Sequence, residues 1–345
     1  MIKRAVVVFN LGGPDKSSSI QPFLFNLFND AAIINLPKPF RWFFAKLISK
    51  RRTSTAKKIY AEIGGGSPLL ALTRKQATAL ENKLNNNKNI NSKVFVAMRY
   101  WHPMILSTAV SVKNFDPDEV VLLPLYPQFS TTTTGSSLKA WKIATKKIKL
   151  NKPTKAICCY PIDENLVKAQ ANLLKEEISR AKQNTRILFS AHGLPKKIIN
   201  QGDPYQWQIE KTASAIAAKA KLKQNDWFVC YQSRVGPLEW IGPSLDEEIK
   251  RASDDNIGII ILPISFVSEC SETLVELDIE YRNIATELAL PYYGRVPAVG
   301  THPDFIIGLK ELVNNASESE LKILSGKDKR ACPPDRQCYS QGGLY

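Results

Sequence analysis

Seven short runs of apolar, largely β-branched residues recur along the chain, at 5–10, 94–98, 120–124, 155–159, 187–191, 228–231 and 257–262, with helical patterns between them. Strands this continuously apolar must be covered on both faces. A parallel sheet flanked by helices does that, whereas an antiparallel sheet with one wet face would alternate. The pattern therefore predicts an α/β fold. The spacing predicts two successive sheets, dividing near Asn151-Lys152-Pro153. The chain's 345 residues suffice for two such domains. The tail after Ser325 is polar and reads as an extension lying on the surface.

The residues that follow these runs are chemically unlike the rest. Leu11-Gly12-Gly13-Pro14 follows the first, Arg99-Tyr100-Trp101-His102-Pro103 the second, and Tyr126-Pro127-Gln128 with the hydroxyls of 130–134 the third. His192 follows the fifth, Gln232-Ser233 the sixth and Ser265-Phe266 the seventh. Open parallel sheets bind ligands beyond the carboxyl ends of their strands. Two such sheets facing each other would place these residues on the walls of a cleft.

Two segments carry the chemistry. Ser190-Ala191-His192-Gly193-Leu194-Pro195 puts an imidazole where a buried strand turns on Gly-Leu-Pro, and such a group titrates near neutrality as a base. A lone histidine is often structural, but this one can point into a cleft. In the second segment Glu272, Glu276 and Glu280 stand at steps of four, with Glu269 three residues earlier. On an α-helix they would share one stripe. A solvated acidic face is the plain alternative. Against it, like charges at this spacing repel, and no Lys or Arg interleaves before Arg282. An imidazole facing a file of acids suits chemistry in which protons leave as a divalent metal arrives.

Other features narrow the choice. Lys and Arg number 47 against 32 Asp and Glu, a net charge of +15, which favours an anionic partner. No recognised binding motif or aromatic stacking platform supports nucleic acid. Ile63-Gly64-Gly65-Gly66-Ser67-Pro68 lacks the Gly-Lys-Ser/Thr ending of a phosphate loop, and Gly12-Gly13-Pro14 is not a dinucleotide fingerprint. The stretch 33–53 sets Phe40, Trp42, Phe43 and Phe44 beside Lys38, Arg41, Lys46, Lys50, Arg51 and Arg52. It reads either as a surface dipping into a membrane interface or as a core helix with a basic outer face. No apolar stretch approaches the ~18 residues of a membrane span, and no leader with a small-residue cleavage site opens the chain, so a cytoplasmic location is expected. The six cysteines read as thiols; adjacent Cys158 and Cys159 end a strand as small buried hydrophobes.

These motifs, in order, resemble the ferrochelatases, which insert ferrous iron into porphyrin at the end of haem synthesis. The likeness covers about 6–303 and rests on Asn10-Leu11-Gly12-Gly13-Pro14, the 63–68 loop, Arg99-Tyr100, Tyr126-Pro127-Gln128, the His192 segment, Gly202-Asp203-Pro204-Tyr205, Gln232-Ser233-Arg234-Val235-Gly236-Pro237 and Glu272–Tyr281. The resemblance implies two flavodoxin-like, chelatase-type lobes with the porphyrin in the cleft: 1–152, 153–303, and a C-terminal helix with polar tail, 304–345, the stretch 305–323 bracing the first lobe. It implies a lyase-class metal chelatase making protohaem from protoporphyrin IX with release of two protons. His192 and Glu272 match the catalytic and metal-handling pair, from opposite walls of the cleft. Glu276 and Glu280 continue a proton or metal path. Leu11, Arg99, Tyr100, Trp240 and Phe266 match residues holding or facing the macrocycle, and Arg52, Tyr60 and Ser67 match positions near the propionates. Arg is suited to such a role by its bidentate fork.

The departures from the family pattern also carry expectations. Thr131 stands where cluster-bearing members have cysteine, and the tail offers only Cys332 and Cys338. An iron–sulfur cluster takes four thiolates, so no [2Fe-2S] cluster and no other resident cofactor is expected, with Fe²⁺ as substrate. Cys270 replaces a histidine found in some relatives. The apolar-basic segment resembles the lip of protoporphyrin-type members docking on membranes, so the expected partners are protoporphyrin IX, Fe²⁺ and an inner-membrane surface met peripherally. A homodimer is left open. The alternatives are a coproporphyrin ferrochelatase, another tetrapyrrole chelatase, and a non-catalytic tetrapyrrole carrier, which would need no base.

Overall fold

The computed structural model describes residues 1–86, 90–181, 183–234, 236–326, 331–333, 335–336 and 338. Val235 of the quoted motif and most of the tail lie outside them. The chain forms two compact units, one built on Met1–Cys159 and Leu309–Ala331, the other on Tyr160–Gly308.

The first unit holds β1 (Ile2–Asn10), β2 (Ile90–Met98), β3 (Glu119–Pro124), β4 (Thr154–Cys159) and, near the chain's end, β9 (Ile323–Ser325). They pair in parallel in the order β2-β1-β3-β4-β9. The first four follow the flavodoxin order. β1 is central, and every residue from Arg4 to Asn10 is buried. Its inner side chains Ala5, Val7 and Phe9 pack with Leu122, Leu138 and Trp141, and the Phe9 and Trp141 rings meet edge to face at 5.9 Å. The second unit repeats the plan with β5 (Thr185–His192), β6 (Trp227–Gln232), β7 (Gly258–Pro263) and β8 (Tyr293–Arg295), in parallel order β6-β5-β7-β8. All six residues of β7 are buried.

All seven apolar runs are strands. β8 and β9, three residues each, escaped the pattern because Tyr-Gly-Arg and Ile-Leu-Ser are too short to show a period. The unit boundary also moves. The segment expected to open the second domain at 153 belongs to the first sheet: the Val120 amide bonds the Pro153 carbonyl at 2.8 Å, and β4 then pairs with β3, so the first unit runs to Cys159. The helix Pro303–Glu318 is divided, with Leu309 onward counted in the first unit. There Arg4 donates to Asn314 (3.0 Å) and Ser317 (2.8 Å), and pairs with Glu119 at 2.6 Å.

The tail is not wholly a surface extension. Cys332 and Cys338 are buried. In the first unit the Cys158 thiol is hydrogen-bonded to Cys159 and Cys338, and those contacts, with burial, hold it well above the ordinary thiol range. In the second, Gln208 donates to the Cys332 sulfur at 2.8 Å. The reading of Cys158 and Cys159 as mere hydrophobes thus missed a partner from the tail. Among the described residues, no three His, Cys, Asp or Glu side chains are placed to hold a metal ion.

Candidate active site

In the second unit, register brings the chemistry together. His192 ends β5 directly beside Gln232, which ends β6. The His192 Nδ1 lies 2.8 Å from the Gly193 carbonyl oxygen. A carbonyl only accepts, so in the neutral ring Nδ1 carries the hydrogen and Nε2 keeps the free lone pair. The turn is tight. A Cβ on Gly193 would lie 3.0 Å from the Gln232 carbonyl oxygen and 3.2 Å from the Trp240 ring. The Tyr205 hydroxyl sits against the Ser265 hydroxyl and the His192 backbone, bracing the turn from below.

The acidic file lies on a helix of unexpected kind. Glu272–Tyr281 is a ten-residue π-helix, closed by i→i+5 bonds, so steps of four do not form the straight stripe expected of an α-helix. Its carboxylates have distinct surroundings. Glu276 accepts from the Ser233 amide at 2.6 Å, the Ser233 hydroxyl at 2.5 Å and the Gln232 side-chain amide at 3.0 Å. The same Gln232 amide donates to the Glu272 carbonyl at 2.9 Å, and Ser190 donates to its Oε1 at 2.8 Å. Glu272 accepts from the Ser271 hydroxyl at 2.8 Å. Both acids are half-buried, while Glu280 is exposed at the far end. Burial raises the Glu276 carboxyl above its ordinary range. The Ser233 and Gln232 bonds and the His192 charge oppose this, and Glu272 adds to it.

Glu269 does not continue the file. It pairs with Arg295 at 2.6 Å and accepts from the Ala298 amide at 2.9 Å. Arg295, which also holds Asp278, is the cation that inspection of the helix alone could not find, because it arrives from β8. His192, at the end of β5, and Glu272, which opens the π-helix after β7, both belong to this unit, so the expected pair is not divided between the two units. Phe266 is half-buried in the turn after β7. Trp240 lines a cavity of about 510 Å³ with Lys196, Arg234 and Glu247, and its buried indole N–H has no acceptor among the described residues.

In the first unit the expected macrocycle residues fall into two groups. Leu11, Tyr60 and Tyr100 share an apolar cluster with Ile20, Phe23 and Leu24. Ser67 sits so close to Gly13 that a Cβ there would fall 2.5 Å from its hydroxyl and 4.0 Å from that of Tyr60. The 63–68 loop thus serves to press Ser67 and Tyr60 toward the turn after β1. Arg52, on the helix Lys38–Ala61, is half-buried and makes no ion pair among the described residues.

Arg99 and Tyr100 are both bound to partners within the first unit. The Arg99 guanidinium is engaged within the unit, on Asp30 at 2.8 Å and Ser136 at 2.7 Å. Tyr100 is 0% exposed, donates to Asp30 at 2.8 Å, and lies beneath the guanidinium at 4.9 Å. A buried carboxylate requires such partners. Burial would raise Asp30, but Arg99 and the hydrogen bonds from Ser136, Ala32 and Tyr100 bring it below the ordinary range. Tyr100 therefore supports Arg99 from beneath, through its ring and through Asp30. Nothing in the sequence marked Asp30, 69 residues from Arg99.

The ferrochelatase family model matches residues 3–317. A ferrochelatase from Caulobacter vibrioides is 55% identical over 317 residues, covering 91% of this chain and 90% of its own. One from Pelagibacter ubique is 48% identical over 340 residues, covering 98% and 97%. Among solved structures, SirB from Bacillus subtilis with Fe³⁺ shares the fold at a TM-score of 0.53 and 12% identity, over 92% of this chain and 96% of that one. The sirohydrochlorin chelatase SirB from Bacillus subtilis subspecies spizizenii, in complex with cobalt, does so at 0.54 and 11%, over 93% and 97%. Both units therefore have the chelatase-type α/β fold.

Proposed function

The chain belongs to the ferrochelatase family, and on that premise we propose which porphyrin it takes and which residues carry the chemistry. It is a metal chelatase that inserts ferrous iron into porphyrin for haem synthesis. Our reading is that the porphyrin is protoporphyrin IX and that His192 accepts the pyrrole protons at Nε2. Glu272 faces the metal, and Glu276 and Glu280 pass protons outward or iron inward. The observation that carries this reading is the tethered Glu276, held by three donors beside the strand that ends in His192.

Two pyrrole N–H bonds break as two iron–nitrogen bonds form, and two protons leave. The macrocycle supplies the iron's remaining ligands, so the protein needs only to strip protons and steer the ion. A flat ring hides its lone pairs; a ring bent by binding energy from its edges exposes them. Arg52, Tyr60 and Ser67 are the residues we assign to the carboxylate edge, with Leu11, Trp240 and Phe266 against the ring. Arg99, already paired with Asp30, is assigned a shaping role rather than a free grip. The reaction as written needs no resident cofactor, a [2Fe-2S] cluster included.

The helix Lys38–Ala61 supports protoporphyrin over coproporphyrin. Phe40 is 61% and Phe43 59% exposed, Trp42 and Phe44 are exposed beside them, and Lys46 lies over the Trp42 ring at 5.0 Å. Apolar rings among cations suit a membrane interface. A porphyrin with two carboxylates is less charged than one with four and suits such an interface better. Among the described residues no helix is long and apolar enough to cross a membrane, so the contact we propose is peripheral.

Two measurements test this. With Fe²⁺ under anaerobic conditions, protoporphyrin should give a kcat/KM at least ~10-fold above coproporphyrin; equal or reversed values would remove the assignment. Cosedimentation with vesicles containing anionic lipid should weaken at least ~10-fold in Phe40→Ser/Phe43→Ser, since each large apolar side chain contributes ~1.5–3 kcal/mol when buried. Unchanged sedimentation would dismiss the membrane face.

A further inference from the structure

We propose that Arg295, with Tyr293 beside it, is the positioning residue that holds the π-helix, and through it the Glu272 and Glu276 carboxylates, in working register. The two side chains stand two residues apart on β8 and so point to the same side of the strand. Arg295 is 10% exposed. Its Nη1 reaches Glu269 at 2.6 Å, ahead of the helix. Its Nε reaches Asp278 Oδ1 at 2.8 Å, and its Nη2 the other oxygen of the same carboxylate. Tyr293 donates its hydroxyl to the Leu277 carbonyl, one residue before Asp278. The strand edge therefore grips the helix at its approach and beyond its middle.

A ten-residue π-helix needs such support. The i→i+5 turn is rare and short-lived in sequence, and it clusters at functional sites. Relaxation to i→i+4 would rotate Glu276 relative to Glu272 and draw it away from Ser233 and Gln232. Arg295 opposes this because a planar guanidinium can serve two carboxylates at once with fixed geometry, as an ammonium cannot. It also engages Glu269 and Asp278, so the acids left for protons and iron are Glu272, Glu276 and Glu280.

The inference rests on the reading that Glu272 and Glu276 carry the reaction, so Glu272→Gln and Glu276→Gln are measured alongside. The assay is anaerobic insertion of Fe²⁺ into protoporphyrin by the full chain. Arg295→Gln and Arg295→Lys should each lower kcat by ~10–100-fold, the scale of a misplacement of about 1 Å, with KM for porphyrin within about twofold. Tyr293→Phe should lower kcat by a smaller factor, ~3–10-fold. The uncharged Glu269→Gln/Asp278→Asn/Arg295→Gln should stay at least ~10-fold slow, because it leaves no unpaired charge behind yet still lacks the clamp. Wild-type kcat in that triple variant, or in Arg295→Gln, would overturn the proposal. If Arg295→Gln fails to fold, wild-type kcat in Tyr293→Phe would overturn it. Wild-type kcat in both Glu variants would bring down the proton-path reading and this inference with it, whereas their loss beside intact Arg295 variants would sink the clamp alone.

Discussion

His192→Ala should leave a protein that binds porphyrin and inserts no measurable iron. The imidazole stands at the end of β5, and its Nδ1 is committed to the Gly193 carbonyl, which leaves Nε2 for the substrate. Loss of a positioned base costs ~10²–10⁴-fold, and two successive deprotonations both depend on it here. Binding should change little, because the proposed site meets the macrocycle's edge and faces with other side chains. The measurement is kcat by metalloporphyrin absorbance together with porphyrin affinity by tryptophan quenching. A variant that turns over at the wild-type rate would remove His192 from the mechanism. A variant that no longer binds porphyrin would make it a wall of the pocket.

Glu276→Gln should slow insertion by ~10–100-fold and change its pH dependence. Burial lifts the wild-type carboxyl above 4.5, with partial opposition from Ser233, Gln232 and His192. Proton acceptance needs the ionised form, so wild-type kcat should climb as pH rises through that lifted value. In Glu276→Gln this acid limb should flatten or move down. The sign for folding is the reverse. A carboxyl whose folded value is raised contributes stability that is complete below its unfolded value and is lost as pH rises through the folded one. Melting of wild type against Glu276→Gln should therefore show the wild type losing relative stability over the window in which its activity grows. An unmoved acid limb with kcat within twofold of wild type would take Glu276 out of the proton path.

Both expectations depend on neighbours that no local pattern announces. Ser190, Gln232 and Ser233 hold Glu276 through bonds across 42 to 44 residues of chain. The carboxylates were visible as a spacing. That they have unequal environments, one tethered, one half-free and one in water, follows from a π-helix packed on the end of β6. Periodicity could not foresee this, since i→i+4 and i→i+5 turns place the same side chains on different lines. Arg99 and Tyr100 teach the same lesson from the first unit. Read from sequence alone, both hold or face the macrocycle. Asp30 turns them inward, because a carboxylate in that core must find a cation and two hydroxyls.

The sequence by itself determined the two parallel sheets, the seven longer strands among the nine that compose them, the family, and the set of residues gathered at the strand ends. Continuous β-branched runs can be buried only between helix layers, and a chain that turns sharply after each run must collect its turn residues at one edge. Tertiary structure alone decided which charges are spent on one another. Arg295 with Glu269 and Asp278, Arg99 with Asp30, and Cys338 with Cys158 join residues 17 to 180 positions apart. Pairing at that range is set by how helices dock on a sheet, and burial then fixes each group's protonation. No pattern confined to a helix or a strand contains that information.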